Sequence, residues 1–310
     1  MASRNIRPSG TAQAQAPLAF TDSLATIARR FAHALVPPAG HFVLLHVDGQ
    51  AAGRITPERA QRLAEFDHVF HWQEAGLTFA PSLALEPART AAVAEVTRAL
   101  ASEGALTPWR DELYAVAPAF GAAPWFRLER AAARYFGIRT HAAHVNGLVR
   151  DGDRIRMWLA RRSATKAIDP GMLDNLVGGG IAAGASVAQT VVKESWEEAG
   201  IPADLAAQAI ATDTLHVTRE LPDGLQDETI FAHDLWLPGD FAPANQDGEA
   251  VAHRCLPLAA VAGLLVQDDE PDALTVDASL VALHALLRLG AIDPRSPWHE
   301  KLRALGTAPP

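Results

Sequence analysis

The chain has 310 residues, room for about two domains, and with 49% hydrophobic and 20% charged residues it buries a sizeable core. Its formal net charge of −9 excludes the broad basic face of sequence-independent nucleic-acid binding, though not a small anionic substrate held beside a cation. One cysteine, Cys255, excludes an internal disulfide framework and any multi-cysteine metal centre. Residues 1–19 carry Arg4 and Arg7 but no acidic residue and no apolar signal core. Their Ala, Ser and Arg bias resembles an organelle transit peptide, but a disordered tail is the simpler reading, with a cytoplasmic location. No segment reaches the ~20 apolar residues that a membrane span needs, so no membrane partner is expected.

Order is expected from Phe20. Asp22 is placed to cap a helix over Ser23–Leu35, with Leu24, Ile27, Ala28 and Phe31 on one face. Pro37-Pro38-Ala39-Gly40 ends it, and Phe42–Val47 reads as a strand entering an Asp48-Gly49 turn. Thr56-Pro57-Glu58 opens another helix, strands follow near Phe70 and Leu77, and Pro87–Ala101 reads as a helix with Val93, Val96 and Leu100 inward. Phe126–Phe136 is expected to be helical and to end at Gly137. An N-terminal α/β domain is therefore expected over 20–137, a second domain over 138–290 and a C-terminal tail over 291–310. In the second domain, His144–Val149 and Ile155–Ala160 form a hairpin, and a glycine cluster precedes a helix over Ser186–Ala199. Strands near 213–218, 230–237 and 251–257 and a helix over Val276–Leu289 complete an α/β (α+β) class.

Chemistry concentrates between Gly178 and Ile201. At about 100° per residue, Glu194, Glu197 and Glu198 fall on one helix face, opposite Ala188, Val191, Val192, Ser195 and Ala199. Three carboxylates repel one another there and lie at the helix end that disfavours anions, an arrangement most simply relieved by a bound cation. Mg²⁺ takes such oxygen ligands and shares them with phosphates, and the preceding glycines let backbone approach either.

This stretch resembles a Nudix box, G-x5-E-x7-R-E-U-x-E-E-x-G-U, in which U is a bulky apolar residue. Gly179, Glu194, Glu197, Glu198, Gly200 and Ile201 match; Ala185, Lys193 and Ser195 replace Glu, Arg and the apolar residue. The run from Lys166 through Pro170–Val177 is similar to one Nudix subgroup. So are His144–Gly147, Trp109–Tyr114 and Asn245–Glu249. That subgroup is related to the Nudix domain fused to thiamine pyrophosphokinase and carries an N-terminal DUF4743-type domain. The resemblance implies a Nudix α/β/α sandwich with a mixed sheet behind a smaller α/β domain. It implies Mg²⁺- or Mn²⁺-dependent hydrolysis of a small organic diphosphate, thiamine diphosphate or its oxidised analogues, by a monomer or homodimer. Glu194, Glu197 and Glu198 would hold the metal with a Gly178 or Gly179 carbonyl, and Glu194 or Glu249 would activate water.

Lys166, Asp174, Asn175, Gly179 and Lys193 are the expected substrate-binding residues; Asp174-Asn175 also reads as a plain turn. His141 and His144 are expected to be structural, and Trp109, Trp125 and Trp158 to build core or a domain interface. Two alternatives remain: a catalytically weak module that binds a diphosphate, and an enzyme similar to isopentenyl-diphosphate isomerase, which would need a cysteine at the site.

Overall fold

The computed structural model describes residues 21–35, 41–106, 108–166, 168–267 and 272–307. The expected N-terminal tail lies outside them, as does the Asp22 side chain. Helix α1 (Thr21–Ala34) buries Leu24, Ile27 and Phe31 on one stripe, at the spacing the sequence predicts. Strands β1 (Val43–Val47) and β2 (Gln50–Ile55) form a hairpin whose two turn residues, Asp48 and Gly49, have φ of 50° and 79°. Two positive φ values in succession match the twist of the flanking strands. Helix α2 (Pro57–Ala64) starts after Thr56, although that hydroxyl makes no capping bond. Strands β3 (Phe70–Gln73) and β4 (Gly76–Phe79) complete a four-stranded sheet in the order β2-β1-β4-β3. Helix α3 (Glu86–Ser102) buries Val93, Val96 and Leu100 as predicted.

The next segment departs from the expected helix. Strand β5 (Leu113–Val116) pairs with β6 (Phe126–Glu129), and only Ala133–Phe136 forms an α-helical turn, α4. Phe126 and Leu128 are buried on either side of exposed Arg127, a period of two that overrides helix propensity. Glu129 then caps the turn after it, accepting from the Ala131 N–H at 3.3 Å and the Arg110 N–H at 3.0 Å.

The second unit opens on the hairpin β7 (Arg139–Asp151) and β8 (Arg154–Arg162), followed by β9 (Leu173–Asn175) and β10 (Val177–Gly180). Helices α5 (Val187–Ala199) and α6 (Ala203–Ala206) lead into β11 (Ile210–Leu221), β12 (Gly224–Trp236) and β13 (Ala250–Pro257). Then come α7 (Leu258–Leu264), α8 (Val276–Arg288) and α9 (His299–Arg303). The sheet runs β11-β12-β7-β8-β13, with β10 on β7 and β9 on β8. It is mixed, because β12 lies parallel to β7 while β10 and β8 lie antiparallel to it. Alternation sorts the faces: Ile230 and Ala232 meet α7 and α8, whereas Val145 and Leu235 meet α5 and α6. The result is the expected α/β/α sandwich, preceded by a smaller α/β unit.

Two segments pack across the expected boundaries. Helix α8 is buried on every side over residues 278–287, mostly by apolar side chains, so it demands cover from both directions. Helix α1, expected within the N-terminal domain, supplies part of that cover, and Arg30 fixes it by donating to the Leu265 and Leu274 carbonyls at 3.0 Å each. The segment expected as a C-terminal tail supplies the rest. Ile292 and Leu302 are fully buried, and the Gly306 carbonyl accepts from the His216 N–H at 2.6 Å. Among the described residues no helix is long and apolar enough to cross a membrane.

The two units join at Gly137, a left-handed helix cap whose carbonyl accepts from the Arg54 N–H at 3.0 Å. Beside it, buried Asp227 receives Arg54 at 2.9 Å, His216 at 3.1 Å and Arg139 at 3.2 Å. Burial opposes its charge, but the bonds from His216 and Arg139 outweigh burial and hold the carboxyl well below the usual range. Asp227→Asn is therefore expected to cost about 2 kcal/mol at neutral pH, since three donors lose a charged acceptor. Because folding depresses this pKa, the contribution is complete above about pH 4, the unfolded value, and fades as pH falls through the folded one. Urea unfolding at pH 7 and pH 3 checks this: the gap between native and variant narrows at pH 3, and an unchanged gap contradicts it.

Candidate active site

Helix α5 is fixed at both ends. Ser186 and Gln189 form a reciprocal capping box, with Ser186 Oγ accepting from the Gln189 N–H at 3.2 Å and Gln189 Oε1 from the Ser186 N–H at 2.9 Å. At the other end Gly200 is left-handed at φ 64°, and the Gly200 and Ile201 N–H groups return to Trp196 and Ser195 at 2.9 and 3.0 Å. The last two turns, which carry the three glutamates, are thereby held firmly. Ser195, at the apolar position of the box, is wholly buried, and its hydroxyl has no hydrogen-bond partner among the described residues.

Glu198 does not lie on a solvated face. It is 8% exposed, and its Oε2 accepts the Gly178 N–H at 2.8 Å. Burial pushes this carboxyl up to about 8, with the Gly178 bond and the Lys166 charge only partly opposing the shift. Lys166 responds in the opposite direction: burial lowers its pKa and Glu198 raises it. Strand β10 makes this approach possible. A Cβ on Gly178 would stand 3.0 Å from the His144 ring, one on Gly179 2.4 Å from Glu194 Cδ, and one on Gly180 2.0 Å from the Tyr114 hydroxyl.

Above β10 lies a cavity of about 140 Å³ that gathers Lys166, Gly178, Gly179, Lys193, Glu194, Glu197 and Glu249, far apart in sequence. Lys166 Nζ pairs with Glu249, and Lys193 Nζ bridges Glu194 Oε1 at 2.9 Å and Glu197 Oε2 at 2.6 Å. Burial disfavours the Lys193 charge, yet the bonds to Glu197 and Glu194 raise its pKa above the ordinary value. Three arginines complete the wall. Arg130 is paired with Glu112 at 2.6 Å and Arg162 with Asp174 at 2.7 Å, while Arg110 has no acidic partner among the described residues. Arg110 belongs to the run Trp109–Tyr114 that carries the resemblance; Arg130 has no sequence signal, because only the turn after β6 brings it here.

A second cavity, about 200 Å³, opens between the two units and shares Arg110, Arg130, Arg162, Gly178 and Gly179 with the first. Asp174 lines it; Asn175 does not, which corrects the expectation for that residue. Asn175 is buried in a structural network, its Oδ1 2.8 Å from His144 Nδ1 and its Nδ2 donating to Asn146 at 3.2 Å. His144 is thus structural, as expected. His141 stands 4.8 Å from the Phe120 ring, and burial pushes its pKa down to about 4. Trp125 and Trp158 pack against the two cores, while Trp109 is exposed, its indole N–H on Asp111 at 2.7 Å. Cys255 is half-buried on β13 and lines neither cavity.

The donors around Gly178 and Gly179 are carboxylates and backbone carbonyls, the hard oxygens that a divalent cation prefers. Buried Glu198, pushed towards its neutral form, is the group whose charge such an ion would restore. Among the described residues no three acidic, histidine or cysteine groups already converge on one point; Lys193 supplies the positive charge between Glu194 and Glu197.

Family comparison agrees with this geometry. Residues 140–278 match the NUDIX domain, and residues 25–140 match DUF4743, a domain of unknown function. Nudix hydrolase 24, chloroplastic, of Arabidopsis thaliana is 39% identical over 263 residues, covering 84% of this chain and 71% of that protein. Nudix hydrolase 20, chloroplastic, of the same plant is 37% identical over 267 residues, 83% of this chain and 70% of that one. Among solved structures, the NUDIX domain of Shewanella oneidensis NrtR complexed with ADP ribose gives a TM-score of 0.39 at 16% identity, over 50% of this chain and 90% of that one. That likeness is too distant to bear on substrate. On the length and identity of the plant matches and the domain found at the box, the chain belongs to the Nudix hydrolase family.

Proposed function

We propose that this Nudix hydrolase is a divalent-metal-dependent diphosphatase that converts thiamine-type diphosphates to the monophosphate and phosphate. The observation that carries the reading is one small cavity in which Arg110, Arg130, Arg162 and Lys166 face Glu194, Glu197 and Glu249 across glycine backbone. Cationic side chains of this kind hold phosphate oxygens, arginine by paired bonds and lysine as a point charge. The thiamine-type substrate rests on the resemblance carried by Lys166 and Pro170–Val177, outside the box itself.

Glu194, Glu197 and Glu198, with a Gly178 or Gly179 carbonyl, would hold Mg²⁺ or Mn²⁺. The ion would polarise the phosphoryl oxygens and lower the pKa of the attacking water. The chain's own groups do the rest. Arg110, having no acidic partner among the described residues, offers its full fork to the terminal phosphate. Glu194 or Glu249 accepts the proton of water as its oxygen bonds to the terminal phosphorus; the bridging P–O bond breaks and the monophosphate leaves with the bond's electron pair. Lys166, within reach of Glu249, stabilises that carboxylate until the proton arrives. Asp174 orients Arg162 towards the same cavity.

One observation favours the weak-binding alternative: Lys193 already joins Glu194 to Glu197, where an active box would need those carboxylates for metal. The isomerase alternative loses its support, since Cys255 lines neither cavity.

Formation of phosphate or phosphomonoester products from thiamine diphosphate, its oxo and oxy analogues, ADP-ribose, NADH, dinucleoside polyphosphates and isopentenyl diphosphate, with Mg²⁺, Mn²⁺ or chelator, decides among them. Metal-dependent turnover confined to thiamine-type diphosphates supports the proposal; tight binding without turnover supports the module. Glu198→Gln is expected to lower kcat by at least about a hundredfold, because it removes charge rather than bulk. Equal rates would discard the metal assignment. Gly179→Ala is expected to displace the Glu194 carboxylate and lower kcat by about tenfold or more, with little change in Tm. A large fall in Tm with kcat intact would show that the glycine serves packing instead.

A further inference from the structure

The run Trp109–Tyr114 sends Arg110 to the phosphate cavity, but its last residue has no part in the reading above. Tyr114 lies on β5 of the N-terminal unit, opposite Leu128 of β6, and is 6% exposed. Its ring packs in the core of that unit, with the Arg130 guanidinium 5.8 Å from the ring centroid. One residue earlier, the Leu113 carbonyl accepts from the Ala183 N–H at 2.7 Å, which ties this strand to the loop of the box. The hydroxyl is the exception to the burial. A Cβ on Gly180 would lie 2.0 Å from it, and it opens onto the cavity between the units with no hydrogen-bond partner among the described residues. A tyrosine this deeply buried ordinarily finds a partner for its O–H.

Its position tells what would accept that bond. Strand β10 pairs with β7 and with no other strand among the described residues, so its second edge is open. Glu194 closes on β10 at Gly179 and Tyr114 at Gly180, adjacent residues whose Cα atoms are about 3.8 Å apart. Alternation places these two side chains on opposite faces of the strand, and a group lying along the open edge meets both. Arg110 and Arg130 line both cavities that meet there, so the acceptor is an anion. Burial raises the pKa of the phenol by more than the Arg130 charge lowers it, and the group stays a neutral donor.

We propose that Tyr114, supplied by the N-terminal unit, donates its O–H to an oxygen of the leaving phosphate, the one that stays on the organic group. The assignment rests on the diphosphatase reading and adds to it a contact from outside the Nudix domain. As water bonds to the terminal phosphorus and gives its proton to Glu194 or Glu249, the bridging P–O bond breaks. Its electron pair passes to the leaving monophosphate, and the bond from Tyr114 strengthens as that charge grows. The phenol keeps its proton, because a phosphomonoester, with a second pKa of about 6, is a far weaker base than a phenolate. A contact that tightens on the way to the transition state shows in kcat rather than in KM.

The chain has two tyrosines, Tyr114 and Tyr135, so the full chain labelled with fluorotyrosine gives two fluorine NMR resonances, which Tyr135→Phe assigns. Methylenediphosphonate, which cannot be hydrolysed, is added to the protein in Mg²⁺. It is expected to move the Tyr114 resonance from its position with Mg²⁺ alone and to leave Tyr135, packed under Arg59, in place. Tyr114→Phe is expected to lower kcat about thirtyfold on each diphosphate that the native protein hydrolyses, with KM within about threefold and Tm unchanged. A Tyr114 resonance that stays put, or a variant kcat within about twofold of native, overturns the proposal. The resonance decides alone if Tyr114→Phe fails to fold. Turnover by the native protein with an unmoved resonance keeps the diphosphatase and discards the contact. A moving resonance without turnover of any diphosphate keeps Tyr114 as a diphosphate contact and discards the hydrolysis. No movement and no turnover overturns both.

Discussion

The missing side chains of Gly178, Gly179 and Gly180 are the constraint on which the site depends. Each leaves room for a different neighbour: the His144 ring, the Glu194 carboxylate and the Tyr114 hydroxyl. These come from the central strand β7, from helix α5 and from the N-terminal unit, so one bare strand is where three parts of the molecule meet. Without bulk on β10, the buried Glu198 carboxylate also reaches its backbone N–H. Close approach of backbone to charge is what glycine permits and what every other residue obstructs.

Around that strand the charges are arranged as an alternation rather than a patch. A chain with nine excess negative charges cannot attract an anion by its overall field. Its local field is different, because Arg110, Arg130, Arg162, Lys166 and Lys193 stand among the glutamates of one small cavity. Most of these cations are already paired, which lowers the cost of burying them but also lowers their attraction for a ligand. Arg110 differs in having no acidic partner among the described residues, and it lines both cavities.

What was legible in sequence follows from range. Local signals held: the Asp48-Gly49 turn, the start of the glutamate helix near Ser186, Gly200 after it and the inward stripe of α3 all depend on residues within a few positions of one another. The box itself is of this kind, being one strand, one loop and one helix. Signals that needed a distant partner did not. Phe126–Glu129 has a composition compatible with helix and becomes a strand because β5 is available to pair with it. Ile292 and Leu302 read as sparse apolar residues near the end of the chain until the buried α8 is seen to need them. Asn175, polar and beside a turn signal, looks like a ligand contact and is instead the buried partner of His144. Arg130 and Glu228 reach the cavities only through the fold, so no spacing in the chain announces them.

The N-terminal unit is part of the site rather than an appendage to it. It delivers Tyr114, Arg110 and Arg130 to the cavities, and the Leu113 carbonyl accepts from the Ala183 N–H at 2.7 Å, tying β5 to the loop of the box. Arg54 reaches Asp227 on β12, the strand that also carries Gln226 and Glu228. The same contacts that hold the two units together therefore set the shape of the space between them. Helix α1, first in the described chain, packs on the far side of the second unit, so the N-terminal unit is enclosed by connections at both of its ends. A deletion that removed it would take away one wall of the cavity and part of the cover of α8 together. The departures within the box then acquire a physical setting. Ala185 packs against the core under α5 where a box glutamate would stand, and the cationic wall contributed from outside the box remains in place around the three glutamates that are kept.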